Sequence, residues 1–294
     1  MKKWNLVIDV AKCTNCNNCF LADKDEYVDN DFPGYAAPQP RHGHRWIDIL
    51  RRERGRAPMV DVAYLPTMCN HCDDAPCITA STGGAIYQRP DGIVIIDPQK
   101  AVGKKELVAA CPYGAIWWNE ERNVAQKWIF DAHLLDQGWK EPRCAQVCPT
   151  GAIKSLKVED SEMATLVQSE ALEVLHPEFG AKPRVYYKNL YRYTQCFIGG
   201  SVAVEKNGVI DCLEGAKVTL TKAGARLAEL TTDNYGDFKF DKLDPDSGSY
   251  TLEISCPDHR SEVIEVRLGE SQYVGVINLT ASEKPIPSPL TGEG

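Results

Sequence analysis

Three cysteines on one short loop, Cys13-Thr14-Asn15-Cys16-Asn17-Asn18-Cys19, constrain this chain more than any other feature. The C-x2-C-x2-C spacing lets three thiolates reach three irons of one cubane. Cys69, Cys72 and Cys77 form a second set of three with a longer second gap. Cys111-Pro112 and Cys148-Pro149 stand alone, each followed by a small-residue turn, Tyr113-Gly114-Ala115 and Thr150-Gly151-Ala152. In bacterial-ferredoxin sequences the fourth thiolate of a cluster comes from such a remote Cys-Pro. Three plus one, twice, accounts for eight of the 12 cysteines and predicts two [4Fe-4S] clusters. Zinc in all-thiolate sites also uses C-x2-C pairs. It requires neither a third cysteine after each pair nor a proline after each remote one.

Nine of the 12 cysteines precede residue 150, so the cofactors belong to the N-terminal half. Disulfides explain none of the spacings, and clustered cysteines in a reducing compartment point to metal. A net charge of −8 without a long basic run argues against nucleic acid as a partner. Near the N-terminus an apolar run of three residues, Leu6-Val7-Ile8, meets Asp9. It is too short for a signal peptide or a membrane span, so a cytoplasmic chain without a span is expected.

Strand-like runs alternate with the cysteine loops: Asn5 to Val10, Ala85 to Arg89, Ile93 to Asp97, Ala115 to Asn119 and Val124 to Ile129. Pro90-Asp91-Gly92 between two of them predicts a hairpin. Residues 24–64 form a Pro-, Gly- and Arg-rich insertion, of a length that usually serves function or an interface. Residues 160–175 read as one amphipathic helix, with Met163, Leu166, Val167 and Leu172 about a turn apart. An aromatic stretch, Val185 to Tyr193, follows and suits either a covered strand or an interface arm. From about residue 197 the pattern is all β, with runs at 201–204, 217–221, 227–231, 237–240, 250–254 and 262–266. The expected fold class is α+β: a ferredoxin-like iron–sulfur domain over 1–196, including the 160–196 helix and linker, then a small β-sandwich over 197–282. A disordered tail is expected over 283–294.

The sequence resembles a known family, the four-motif iron–sulfur subunits of dimethyl sulfoxide reductase-type molybdopterin oxidoreductases. Within it the likeness is to the small subunits of pyrogallol–phloroglucinol transhydroxylase and the anaerobic polyphenol hydroxylases. The segments that carry it include Val7 to Cys13, Gly43-His44-Arg45-Trp46, Arg51 to Gly55, Cys111 to Gly114, Trp118 to Glu121, Ala132 to Asp136 and Lys182 to Arg192. The β-region resembles transthyretin-like or carboxypeptidase-regulatory modules, through Gly215 to Leu220 and Thr232 to Phe240.

The resemblance implies that Cys13, Cys16 and Cys19 share a cluster with Cys148, and that Cys69, Cys72 and Cys77 share one with Cys111. Four-motif chains have room for two more clusters. Here Ala101, Lys104, Leu107 and Ser81 stand at one ligand set, and the transhydroxylase pattern lacks the same one. The other set is Asp23, Trp128, Asp131 and Cys144, a remnant third site at which a cluster is not expected and Cys144 reads as a free buried thiol. It also implies a partner: a large catalytic subunit that alone holds the molybdopterin with Mo or W and acts on phenols, making this chain the noncatalytic, electron-transferring member of a heterodimer. The alternatives are a structural iron–sulfur subunit without an electron-transfer role, and an electron-transfer subunit of another molybdopterin oxidoreductase.

Further residues draw notice. His42 and His44 flank a glycine and read as hydrogen-bonded loop residues. His71 lies between cluster cysteines and reads as shielding or hydrogen-bonding a cluster. The run Arg51 to Arg56 suits a solvated loop or a docking surface, and Cys196, Cys212 and Cys256 read as core residues without metal spacing.

Overall fold

The computed structural model describes residues 1–206 and 208–282, so the expected tail at 283–294 lies outside the described residues. The chain divides into two compact units, 1–52 with 63–193, and 53–62 with 194–294. The sequence expectation kept the whole insertion with the first unit. Residues 53–62 instead belong to the second.

The first unit is organised around strand β1 (Lys3–Asp9). The insertion carries the hairpin β2 (Asp48–Arg56) and β3 (Met59–Thr67), whose residues 53–62 belong to the second unit and which the sequence reading treated as loop. Two short hairpins follow, β4 (Ile86–Gln88) with β5 (Val94–Ile96) and β6 (Trp117–Asn119) with β7 (Val124–Gln126), and then β8 (Ile153–Val158) and β9 (Val185–Lys188). β1 is the central strand of a three-stranded sheet, antiparallel to β8 and parallel to β9. Leu6, Ile8, Val185 and Tyr187 are fully buried, so the aromatic stretch begins as a covered strand. The turn at Pro90-Asp91-Gly92 forms as expected, with Gly92 at φ +87, and a Cβ there would stand 3.0 Å from the Arg184 side chain.

The helices are α1 (Asn18–Tyr27), α2 (Pro76–Thr79), α3 (Ala132–Asp136), α4 (Arg143–Gln146), α5 (Asp160–Ser169) and α6 (Tyr191–Thr194). α5 is shorter than the expected 160–175 because Ala171 takes a left-handed φ of 49°, which a helix cannot propagate. Leu172 is buried from the loop that follows.

The second unit is a two-sheet sandwich. One sheet centres on β10 (Cys196–Lys206), paired with β11 (Val209–Cys212), β14 (Asp237–Leu243) and, in parallel, β17 (Gln272–Leu279). The other runs β13 (Ala225–Thr231), β12 (Lys217–Lys222), β15 (Gly248–Ser255), β16 (Glu262–Leu268). Alternation sets the inward face: Tyr250, Leu252 and Ile254 of β15 are buried, with Thr251 and Glu253 between them pointing away. Val218, Leu220, Phe238, Phe240 and Ile277 meet them in one core. Cys196 lies in that core and Cys256 against it, but Cys212 is exposed. The expectation for Cys212 fails because all of β11 is exposed along the edge of its sheet.

The arginine run lies on strand β2, with Arg51 and Arg56 exposed and Arg54 buried. Arg54, only 2% exposed, lies within the second unit and donates to Asp241 at 2.8 Å and to Asp61. Gly55 beside it takes φ +75, and a Cβ there would overlap the Phe197 ring and the Met59 carbonyl. Removing the guanidinium leaves Asp61 and Asp241 to the partly exposed Lys239 ammonium, at 3.6 and 3.2 Å, so the loss is smaller than that of a fully buried pair. Arg54→Met is expected to lower the stability of the second unit by about 2 kcal/mol. Denaturant unfolding followed by far-UV circular dichroism checks this.

Candidate metal centres

Strand pairing gathers the first set of thiols. β1 ends at Asp9, four residues before Cys13, and β8 begins at Ile153, five after Cys148. The register Ile8↔Ile153, extended by Asp9 N–H donating to the Ala152 carbonyl at 2.8 Å, therefore brings the two cysteine loops side by side. The Cys13 loop curls through Asn15 and Asn17, both left-handed at φ 57° and 61°, and the Asn17 amide donates to the Asn15 carbonyl at 2.9 Å. Asparagine tolerates that conformation because its side chain bonds locally. Cys13, Cys16, Cys19 and Cys148 line one cavity with Ile49, Pro66 and Ile153.

The second set is assembled by docking. The Cys69–Cys77 loop lies along the segment leading into β9, with Arg184 N–H donating to the Asn70 carbonyl at 2.8 Å and Asp73 N–H to that of Lys182 at 3.0 Å. The Arg184 side chain, 2% exposed, clamps the same loop by donating to Asp73 at 2.9 Å and to Asn5 of β1 at 3.2 Å. Cys72 lies within interaction range of Cys69, Cys111 and Cys77. Both Cys-Pro turns close alike: the Cys111 carbonyl accepts from Gly114 at 3.1 Å and the Cys148 carbonyl from Gly151 at 3.2 Å. Each glycine is left-handed, at φ 65° and 62°.

These surroundings fit iron–sulfur clusters. No disulfide joins the cysteines of either set. Burial raises the Cys13, Cys72 and Cys111 thiols and pushes Cys19 up to about 12 and Cys77 to about 11, and neighbouring thiolates of the same set push all five further up. Thiolates this close would repel one another, and cationic iron among them would offset that repulsion. No three His, Cys, Asp or Glu side chains among the described residues converge as the ligands of a single ion do. A cubane differs, because each thiolate takes its own iron and the ligands stand around the cluster.

His71 accepts from the Val94 N–H through Nδ1 at 3.0 Å, so its hydrogen sits on Nε2, which has no partner. Burial, reinforced by the charges of Lys127 and Arg184, holds this imidazole neutral, well below its usual range. His44 bonds the Trp118 carbonyl at 2.9 Å, a loop role as expected, and His42 is exposed.

The two other ligand sets have different surroundings. Ala101 and Leu107 are buried in the apolar core around β4 and β5, and the Ser81 hydroxyl accepts from Ile86 N–H at 2.9 Å. Asp23, Asp131 and Cys144 do come together within interaction range, all buried. Yet Asp131 is occupied: Tyr27 donates to it at 2.7 Å, Arg143 N–H at 2.7 Å and Trp128 Nε1 at 3.3 Å. Trp128 is 1% exposed and stacks on Phe130 with ring centroids 4.9 Å apart. Asp23 accepts from Gln39 at 3.0 Å. The sequence reading missed Lys127. Its one signal was a lysine inside the otherwise uncharged run Val124 to Phe130.

Both regions of the chain resemble known proteins. Residues 60–158 match the 4Fe-4S dicluster domain family, and residues 198–282 match the carboxypeptidase regulatory-like domain family. The chain is 52% identical to the pyrogallol hydroxytransferase small subunit of Pelobacter acidigallici, over 87% of this chain and 92% of that protein. It is 29% identical to the arsenate respiratory reductase iron-sulfur subunit of a Shewanella species, over 62% of this chain and 94% of the relative. For the thiosulfate reductase electron transfer subunit of Salmonella typhi the figures are 31%, 53% and 76%.

Burial pushes the Asp23 carboxyl up to about 8, with Gln39 opposing and Asp131 adding. The folded chain thus keeps a proton that the unfolded chain releases near pH 4, so this contribution is complete below pH 4 and is lost as pH rises towards 8. Asp23→Asn should gain on the parent across that window, by no more than about 1.4 kcal/mol per pH unit. Thermal midpoints of both proteins at pH 5.5 and 8 check it; an unchanged difference would show that Asp23 does not hold the proton.

Proposed function

The chain belongs to the iron–sulfur small subunits of the molybdopterin oxidoreductases, the family of the pyrogallol hydroxytransferase small subunit, and on that premise we propose that it carries electrons for a large catalytic subunit that hydroxylates or transhydroxylates phenols. The pterin and its molybdenum or tungsten belong to the partner. What supports the reading above all is the 52% identity over most of the chain, combined with two thiol sets that strand pairing and loop docking hold together.

Cys13, Cys16, Cys19 and Cys148 hold one [4Fe-4S] cluster, and Cys69, Cys72, Cys77 and Cys111 hold the other. A bound cluster supplies reversible one-electron storage. The protein's part is to exclude water, fix the thiols and set the local charge: Arg184 pins the second loop to β1, and His71 stays neutral against Trp128 and Phe130, 5.4 Å from each ring. Eight cysteines at cluster spacings favour a reducing compartment such as the cytoplasm. No helix among the described residues is long and apolar enough to cross a membrane.

Anaerobically purified protein should contain about eight irons per chain, because the remnant set at Asp23, Trp128, Asp131 and Cys144 holds none. Cys13→Ala and Cys111→Ala should each abolish a different EPR signal and about four irons. A tagged chain expressed with its genomic neighbour should bring down a large pterin-containing protein. About twelve irons, or one substitution erasing both signals with the fold intact, would overturn the ligand assignment.

A further inference from the structure

Lys127 is 1% exposed, and its ammonium donates only to backbone carbonyls, of Val94 at 2.5 Å and Trp128 at 3.1 Å. Among the described residues it makes no ion pair, unlike the other buried cations, Arg54 and Arg184, each of which faces two carboxylates. A buried charge without a counter-ion is costly, and two carbonyl dipoles offset only part of the cost. Its carbonyl partner Val94 donates its own N–H at 3.0 Å to His71, between Cys69 and Cys72, and packs in one core with Cys72 and Cys77. The missing anion is therefore on the side of the second thiol set.

We propose that Lys127 is the built-in counter-cation of the cluster held by Cys69, Cys72, Cys77 and Cys111, and that it selectively raises that cluster's reduction potential. The inference rests on the ligand assignment above. A thiolate-ligated cubane is anionic, and reduction adds one more electron and one more negative charge, with no bond made or broken. A fixed ammonium nearby stabilises the reduced form more than the oxidised one, and burial prevents water and salt from screening it. The backbone fixes its position: the Val94 carbonyl holds Lys127 while the Val94 N–H holds His71, so a single residue of β5 places both the charge and the neutral ring. Lys127 is thus a positioning and tuning residue, not a ligand.

The test is a dithionite potentiometric titration, followed by EPR, of the full chain in complex with its large subunit. The signal of this cluster is the one that Cys111→Ala abolishes. Lys127→Met should shift its midpoint downward, lowering the reduced-to-oxidised ratio at fixed potential at least tenfold, which is about 59 mV for a one-electron couple. The other cluster's midpoint should stay in place, and Lys127→Arg should restore most of the shift. Should the Met variant fail to retain iron, Lys127→Gln, which keeps donors for the two carbonyls, carries the same measurement. An unmoved midpoint, an equal shift in both clusters, or an Arg variant behaving like Met would overturn the proposal. If Cys111→Ala abolished neither signal, the ligand assignment itself would fall, an outcome distinct from an unmoved midpoint.

Discussion

Each cluster needs four thiols held together in a nearly dry place, and each set draws on two separate parts of the chain. That constraint explains the architecture of the first unit. A loop of three cysteines cannot close a cubane, so the fold must return a Cys-Pro turn to it from 129 residues away in one case and 34 in the other. β1 serves both closures. Its pairing with β8 returns Cys148, and its hydrogen bonds to Arg184 anchor the loop that holds Cys69, Cys72 and Cys77. The iron–thiolate bonds in turn offset the cost of burying thiols that repel one another.

The two remaining ligand sets are filled in different ways. One is apolar, with Ala101 and Leu107 absorbed into a core. The other keeps its acids but ties them up: Asp131 takes three hydrogen bonds, and burial pushes the Asp23 carboxyl up. The Trp128 ring closes the remaining space against Phe130. Two charged carboxyls would repel at low dielectric, so the upward push on Asp23 eases its place beside Asp131.

The same low dielectric gives Lys127 its importance. Arg54 and Arg184 have carboxylate partners and act as structural clamps. Lys127 has none among the described residues, and its carbonyl partner Val94 packs in one core with Cys72 and Cys77. In an electron carrier, potential is set by just such fixed charges, hydrogen bonds and exclusion of water. The β-sandwich contributes no comparable group among the described residues: its buried cysteine, Cys196, lies in an apolar core, and its buried charge, Arg54, is neutralised within the unit.

Cysteine spacing by itself determined that this chain holds cubane clusters, because C-x2-C-x2-C and a remote Cys-Pro are short-range geometric requirements that leave a direct trace in order and distance along the chain. The short hairpins and the β-sandwich were legible for the same reason, since alternation and turn residues act locally. Where a long-range contact decided the outcome, the sequence was silent or misleading. The β2–β3 hairpin looked like an irregular insertion, because the partners of Arg54 in the second unit lie as far away as Asp241. α5 stops early because of the left-handed Ala171, and Cys212 is exposed because its strand lies at a sheet edge. Lys127 looked like any lysine. Only the tertiary structure shows it buried beside the second thiol set with backbone carbonyls for partners, because charge, burial and partner distance are properties of a place in the fold and not of a position in the chain.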